Sequence, residues 1–380
     1  MKIFITLFIF CLVLFLYIHI QYHFKTSNDL EIYELEQPSK EKLEEICDLR
    51  QPVIFDFIES DRIVKTSNKN YILNHYHAFE TKIRNSKETD YNNEIYIPVP
   101  LHTADKLFRD DNTASYFSEN NSDFLQETGV IKNMQYNDAF LRPYFVSNCN
   151  YDIMMGSNNT MTPLRYEINY RNYFLVTQGS VQIKLIPPNS SKYLYTKYDY
   201  EILEFSSPVH VWNVQPQYTA DYDKIKSLDI TLHTGSCIYI PAYWWYSIKF
   251  SRESSISCFR YRTYMNNIAI SPHIALYALQ IQNIKRDVVK KVDLSSSSKK
   301  IGKKKYTNDG EIYYIQEDDT PMNFENSENP DNSANLENSE NNIQLNESNE
   351  SNQNTDNEIL PSNALEQGET LYPNDTTTMT

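Results

Sequence analysis

Two stretches decide the fold: TPLRYEINYRNYFLVTQGSVQIKLIPP (162–188) and TLHTGSCIYIPAYWWYSIKF (231–250). In the first, strand-forming residues run up to Gly179-Ser180 and resume beyond it. That pattern reads as two antiparallel strands joined by a tight turn and closed by Pro187-Pro188. In the second, β-branched and aromatic runs lie around Gly235 and Pro241, the punctuation of further short strands. SPVHVWNVQ (207–215) and SSISCFRYRTY (254–264) read as strands as well.

Working outward, EIYELEQ (31–37) reads as a short strand and VIFDF (53–57) as a buried one. Between them SKEKLEEICDLR (39–50) reads as a helix, with Ser39 as its cap and Glu41 in its first turn. Leu43, Ile46, Cys47 and Leu49 form its apolar face. TADKLF (103–108) and ASYFSENNSDFL (114–125) suggest short helices. SPHIALYALQIQNIKRDVVKKV (271–292) opens on Ser-Pro, a helix start, and puts Ile274, Tyr277, Ile281 and Val288 on one face. Helices, then about eight strands, then a closing helix imply an α+β chain built around a jelly-roll barrel.

At the two opening stretches the chain resembles the cupin-like branch of the JmjC-related oxygenases. Those proteins read TPLHYD, then a long strand ending in a Gly-x-Lys turn with a following PP, then a Gly-Asp-x-x-x-Ile-Pro-x-x-Trp-Trp-His segment. The likeness extends from the strand–helix–strand opening to the strand near Phe259, roughly two-thirds of the chain. It implies a double-stranded β-helix holding Fe(II) through His-x-Asp and a distant His, with open positions for oxygen and 2-oxoglutarate. The spacing matters because alternate residues of a strand point the same way.

In this chain the implied iron ligands fall on Arg165, Glu167 and Tyr246, and the cosubstrate lysine falls on Val181. Thr162 and Asn172 stand at polar cosubstrate positions. Arginine keeps its proton and offers iron no lone pair. A phenol binds as phenolate only at a cost set by its pKa near 10, and valine cannot pair a carboxylate. Four such changes together imply a site without metal or cofactor. The expectation is that the Arg165 guanidinium takes the cation's place, bonded to Glu167 and to the phenol of Tyr246 across the barrel. The alternative is that Arg165 and Glu167 are surface residues of an edge strand.

The net charge of −15 belongs to the end of the chain. Residues 306–380 hold 17 Asp and Glu and no Lys or Arg, which leaves the remainder at +2. Runs such as NFENSENPDNSANLENSENN cannot bury enough surface to offset chain entropy, so 295–380 is expected to be a basic hinge, KKIGKKK (299–305), followed by a disordered tail. The five cysteines show no zinc spacing and no disulfide framework, which favours small buried residues. A nucleic-acid partner is not expected.

At the other end, 3–20 is almost wholly apolar and about 27 Å long as a helix. It ends in His19, Gln21, Tyr22 and His23 rather than small residues, so 1–24 reads as an uncleaved single-pass anchor, with a cleaved signal peptide as the alternative. The expected domain then covers 28–294. Anchor, tail and composition together also resemble proteins of giant DNA viruses, which implies a viral or host endomembrane location.

Three functions are weighed. The first is a membrane-anchored, non-catalytic cupin-like module that binds or builds, with Tyr170, Arg171 and Tyr243 helping the barrel mouth hold a small acid or a peptide of a protein partner. The second is a divergent Fe(II)/2-oxoglutarate protein hydroxylase, and the third a virion or membrane-assembly scaffold. The fold by itself does not choose among them.

Overall fold

A computed structural model of the chain describes residues 1–87 and 95–283. The hinge and tail expected over 295–380 lie outside the described residues, as does Val288. The helices, in chain order, are α1 (Lys2–Phe24), α2 (Lys40–Cys47), α3 (Ser60–Ser67), α4 (Lys69–Tyr76), α5 (Leu101–Asp110), α6 (Ser122–Glu127), α7 (Val130–Asn137), α8 (Thr219–Tyr222), α9 (Tyr264–Ala269) and α10 (Ser271–Asn283). The first strands are β1 (Tyr33–Leu35), β2 (Val53–Phe55), β3 (Glu80–Asn85), β4 (Ile97–Pro100), β5 (Tyr116–Ser118) and β6 (Val146–Gly156). Then come β7 (Leu164–Tyr166), β8 (Arg171–Gln178), β9 (Ser180–Ile186), β10 (Lys197–Asp199) and β11 (Glu204–Ser207). β12 (Leu228–His233), β13 (Cys237–Tyr239), β14 (Trp245–Phe250) and β15 (Ser255–Thr263) complete the set.

These strands form a nine-stranded sheet, β1-β2-β13-β8-β15-β6-β5-β3-β4, and a six-stranded sheet, β10-β11-β7-β14-β9-β12. Only β1 and β2 pair in parallel among the described strands. Phe174, Val176, Ile238 and Cys258 of the larger sheet meet Val181, Ile183, Ile248 and Phe250 of the smaller one in a common core. The other face of the larger sheet, with Tyr151, Tyr173, Tyr239 and Tyr261, is covered by helices through Leu43, Ile63, Ile72 and Met134. This is the α+β double-stranded β-helix with flanking helices that the sequence leads one to expect.

Local chemistry explains the element ends. Ser39 accepts a hydrogen bond from Lys42 N at 3.2 Å, capping α2, and Leu43 and Cys47 turn inward. Gly179 turns β8 into β9 at φ 70°, a left-handed conformation that favours glycine. Cys47, Cys237 and Cys258 are buried and unpaired, and burial pushes the Cys47 thiol up to about 12.

Two stretches differ from expectation. In 114–125 only the end is helical, because Tyr116–Ser118 forms β5 between β3 and β6. Within 207–215 the strand stops at Ser207. Beyond it the Gln215 amide donates to Pro208 O at 2.8 Å and accepts from His210 N at 3.0 Å, satisfying the backbone without a partner strand. Val209 and Val211 anchor this loop against Leu164 and Trp245.

Gly156 ends β6 under the ring of Phe250, and a Cβ there would lie 2.6 Å from Phe250 Cδ2. Gly156→Ala is therefore expected to destabilise the domain by about 1–3 kcal/mol through overpacking. Chemical denaturation of the two proteins tests this, and an unchanged midpoint would contradict it.

Candidate functional site at the barrel mouth

The site begins with register. β7 is short and lies between β11 and β14, so Arg165 sits opposite Ser206 on one side and Tyr246 on the other. Tyr246 is thus a neighbour within the same sheet, not a residue across the barrel. Arg165 is buried, with 6 % of its surface exposed, which excludes the solvent-facing edge-strand alternative for it. Its Nε donates to the Tyr246 hydroxyl at 3.2 Å, and that hydroxyl donates to Glu167 Oε1 at 3.0 Å.

The expected direct bond from Arg165 to Glu167 is replaced by this relay through the phenol. The guanidinium instead meets two other carboxylates. Nη2 donates to Glu119, just beyond β5, and Nη1 lies 3.4 Å from Glu204 at the start of β11. Arg84 of β3 joins the same pair, reaching Glu119 at 2.9 Å and Glu204 at 2.7 and 3.0 Å. Tyr96 adds a hydroxyl to Glu119 Oε1 at 3.1 Å. Two arginines and two glutamates therefore form a closed ring that ties the two sheets together.

The charges hold one another. Burial pushes the Glu119 carboxyl up, but the Arg165 and Arg84 guanidiniums beside it pull it down further, to about 2. Burial disfavours charge on Arg165 too, and the Glu119 carboxylate more than offsets this, so its pKa is raised. Burial raises the phenol of Tyr246, which stays protonated and able to donate.

A second cluster adjoins the first. Arg260 of β15 bonds Glu167 at 3.2 Å and lies 3.7 Å from Asp152 of β6. Asp152 also accepts from the backbone N of Asn120, Asn121 and Ile153 at 2.8–2.9 Å. Farther out, Arg262 Nε donates to Asn169 Oδ1 at 2.6 Å and forms no ion pair among the described residues. Burial lowers the Arg262 pKa, with Glu167 opposing. These groups line a polar cavity of about 530 Å³ to which Asn148 and Asn150 also contribute.

The remaining expected site residues lie elsewhere. Val181 is packed in the barrel core opposite Leu232 and Phe250. The Thr162 hydroxyl accepts from Ile248 N at 2.9 Å, bracing β14 beside a separate cavity of about 630 Å³. Asn172 bonds Asn169 and Ile240 O, also in the interior. Arg171 is fully buried and points away from the mouth, to Glu44 at 3.0 Å and Asp48 at 2.5 Å of the α2 end. Tyr170 stacks on it, and Tyr243 lies by Phe24. Tyr170, Arg171 and Tyr243 therefore do not line the mouth cavity. Conversely, Glu119, Glu204 and Arg84 were not singled out in the sequence. Glu204 lies two residues from Ser206 on β11 and so shares its face, a placement that the β11–β7 pairing reveals and the sequence does not.

The iron and 2-oxoglutarate implied by the resemblance do not fit these residues. The first position that the resemblance implies as a ligand holds a guanidinium engaged with two carboxylates and a phenol, and Tyr246 at the third donates a hydrogen bond to Glu167 at the second. Among the described residues no group of three or more His, Cys, Asp or Glu is placed to hold a metal.

Removing Arg165 leaves the buried Glu119 and the part-buried Glu204 short of a cation, so Arg165→Ala is expected to cost about 3–5 kcal/mol. Unfolding in denaturant measures it, and a loss below 1 kcal/mol would contradict the ring's role. A carboxylate held lower in the folded than in the unfolded chain adds stability above its ordinary value of 4.5, and this is lost as pH falls through about 2. Glu119→Gln is therefore expected to flatten the stability profile between those values, which melting curves across acid pH will show. Parallel profiles for the two proteins would refute the assignment.

Comparison with known proteins agrees with this architecture. The model of the Cupin-like domain family matches residues 34–268, well over half of the chain. HSPB1-associated protein 1 of Rattus norvegicus is 26% identical over 98 residues, 26% of this chain and 20% of that protein. Jumonji C domain-containing protein 5 of Drosophila melanogaster is 26% identical over 95 residues, 25% of this chain and 23% of that protein. The match thus spans about a fifth of the length of these relatives. With the β-helix, the Ile240-Pro241 turn and the Trp244-Trp245 pair in their places, the chain belongs to the cupin-like domain family.

Proposed function

We propose that the protein is a membrane-anchored, non-catalytic cupin-like module that binds a ligand or a protein partner at the barrel mouth. One observation carries the reading: the Arg165 guanidinium occupies the first metal-ligand position and is bonded to Glu119, Glu204 and Tyr246. A fixed internal cation then does the electrostatic work that a metal does in the oxygenases of the fold, but it has no open coordination position for oxygen or a keto acid. What remains is a polar cavity whose Arg262 guanidinium lacks an ion pair among the described residues and whose Asn148 and Asn150 amides are exposed. Such a surface suits a small acid or the carboxylate of a peptide.

The anchor part of the reading is supported by how α1 ends. This helix is long and apolar enough to cross a bilayer. Its last turn is integrated into the domain, with the Arg50 guanidinium 5.1 Å from the Tyr22 ring and 4.9 Å from the Tyr170 ring. His23 packs on Tyr170 and Phe24 on Tyr243. A leader destined for removal has no need of such contacts.

The purified full chain in detergent is expected to contain no stoichiometric iron and to form no succinate from 2-oxoglutarate after Fe(II) is supplied. Elemental analysis and a succinate assay test this directly. Stoichiometric iron together with turnover would overturn the proposal in favour of a hydroxylase with rearranged ligands.

A further inference from the structure

α9, which packs along α1, and α10, which follows it, carry apolar side chains that no described element covers. α10 holds no Asp, Glu, Lys or Arg, yet Leu276 and Leu279 are 44% and 56% exposed. α9 exposes Tyr264 and Ile268, and Phe145, whose carbonyl accepts from Tyr264 N, is 86% exposed. A helix bordered by water turns its polar residues outward. The reverse arrangement on neighbouring elements marks a face made for something other than water.

The packing of α1 identifies the occupant. α1 lies along α9, and its side carrying Leu16, Ile20 and His23 is partly covered, whereas residues 2–15 are exposed throughout. Those uncovered residues make only about 21 Å of helix. A bilayer's hydrocarbon core is about 30 Å thick. For α1 to cross it, Leu16 and Ile20 must lie within the hydrocarbon, which brings α9 beside them to the membrane boundary. The chain beyond α10 continues as KRDVVKK (285–291), a composition that anionic headgroups attract.

We propose that α9, α10 and Phe145 form a membrane-contact surface, with Tyr264, Leu276 and Leu279 seated in the boundary between headgroups and acyl chains of the leaflet where α1 ends. The inference rests on α1 being a membrane span. The opposite side of α10, through Ile274 and Tyr277, lines the mouth cavity, so one helix serves both the membrane contact and the cavity wall.

The test uses the full chain reconstituted in vesicles of phosphatidylcholine and phosphatidylserine, with a fluorescent amino acid in place of Leu279 or, separately, Phe10. Both probes are expected to be quenched by acyl-brominated lipid and shielded from aqueous iodide, with Leu279 roughly 5–10 Å below the headgroup boundary. Lipid quenching at Phe10 with iodide quenching at Leu279 would overturn the contact surface and leave the anchor standing. Shielding of Leu279 from both quenchers would also overturn it, pointing to a second copy of the chain on that face. Iodide quenching at both positions would remove the anchor itself.

Discussion

A guanidinium buried in a β-barrel imposes a condition on everything near it, because it keeps its charge and must be given acceptors. Here the condition is met from both sheets. Glu119 follows β5 and Arg84 lies in β3 of the larger sheet, while Glu204, Arg165 and Tyr246 come from β11, β7 and β14 of the smaller one. The ring they form crosses the barrel mouth and links its two walls, at the place where the resemblance implies a metal in the oxygenases of this fold. The mouth is thereby fixed by charges of the protein itself, and the cavity outside the ring inherits a preset arrangement of donors and acceptors.

That arrangement separates two properties usually found together in the fold. The scaffold features survive intact: the β8–β9 turn at Gly179, the buried Trp244 and Trp245, and the apolar core between the sheets. At the positions where the resemblance implies cosubstrate contacts, Val181 packs in the core and Thr162 braces a strand. Nearer the solvent, Arg262 and the two exposed asparagines line the polar cavity.

The parts legible in the sequence were those set by local pattern. Ser39 capping α2 and the Gly-Ser turn follow from capping and turn chemistry. The resemblance led to Arg165 and Tyr246 as a pair but placed them across the barrel rather than side by side in one sheet. The counter-charges were not legible, because Glu119 and Glu204 are 46 and 39 residues from Arg165 and sit in polar stretches that look solvated. The pairing expected with Glu167 failed for a geometric reason: the bulky phenol of Tyr246, adjacent in register, stands between the two side chains. Likewise 207–215 carries strand-like residues, but Pro208 and the amide of Gln215 satisfy the backbone locally and make a loop.

The most direct test of the central claim is a crystal structure determined after soaking with Mn(II) and 2-oxoglutarate, read through anomalous scattering. Arg165 bridging Glu119 and Glu204, with no anomalous peak beside Arg165, Glu167 and Tyr246, is the predicted result. A metal peak ligated by Glu167, with the Arg165 side chain swung out of the barrel, would contradict it.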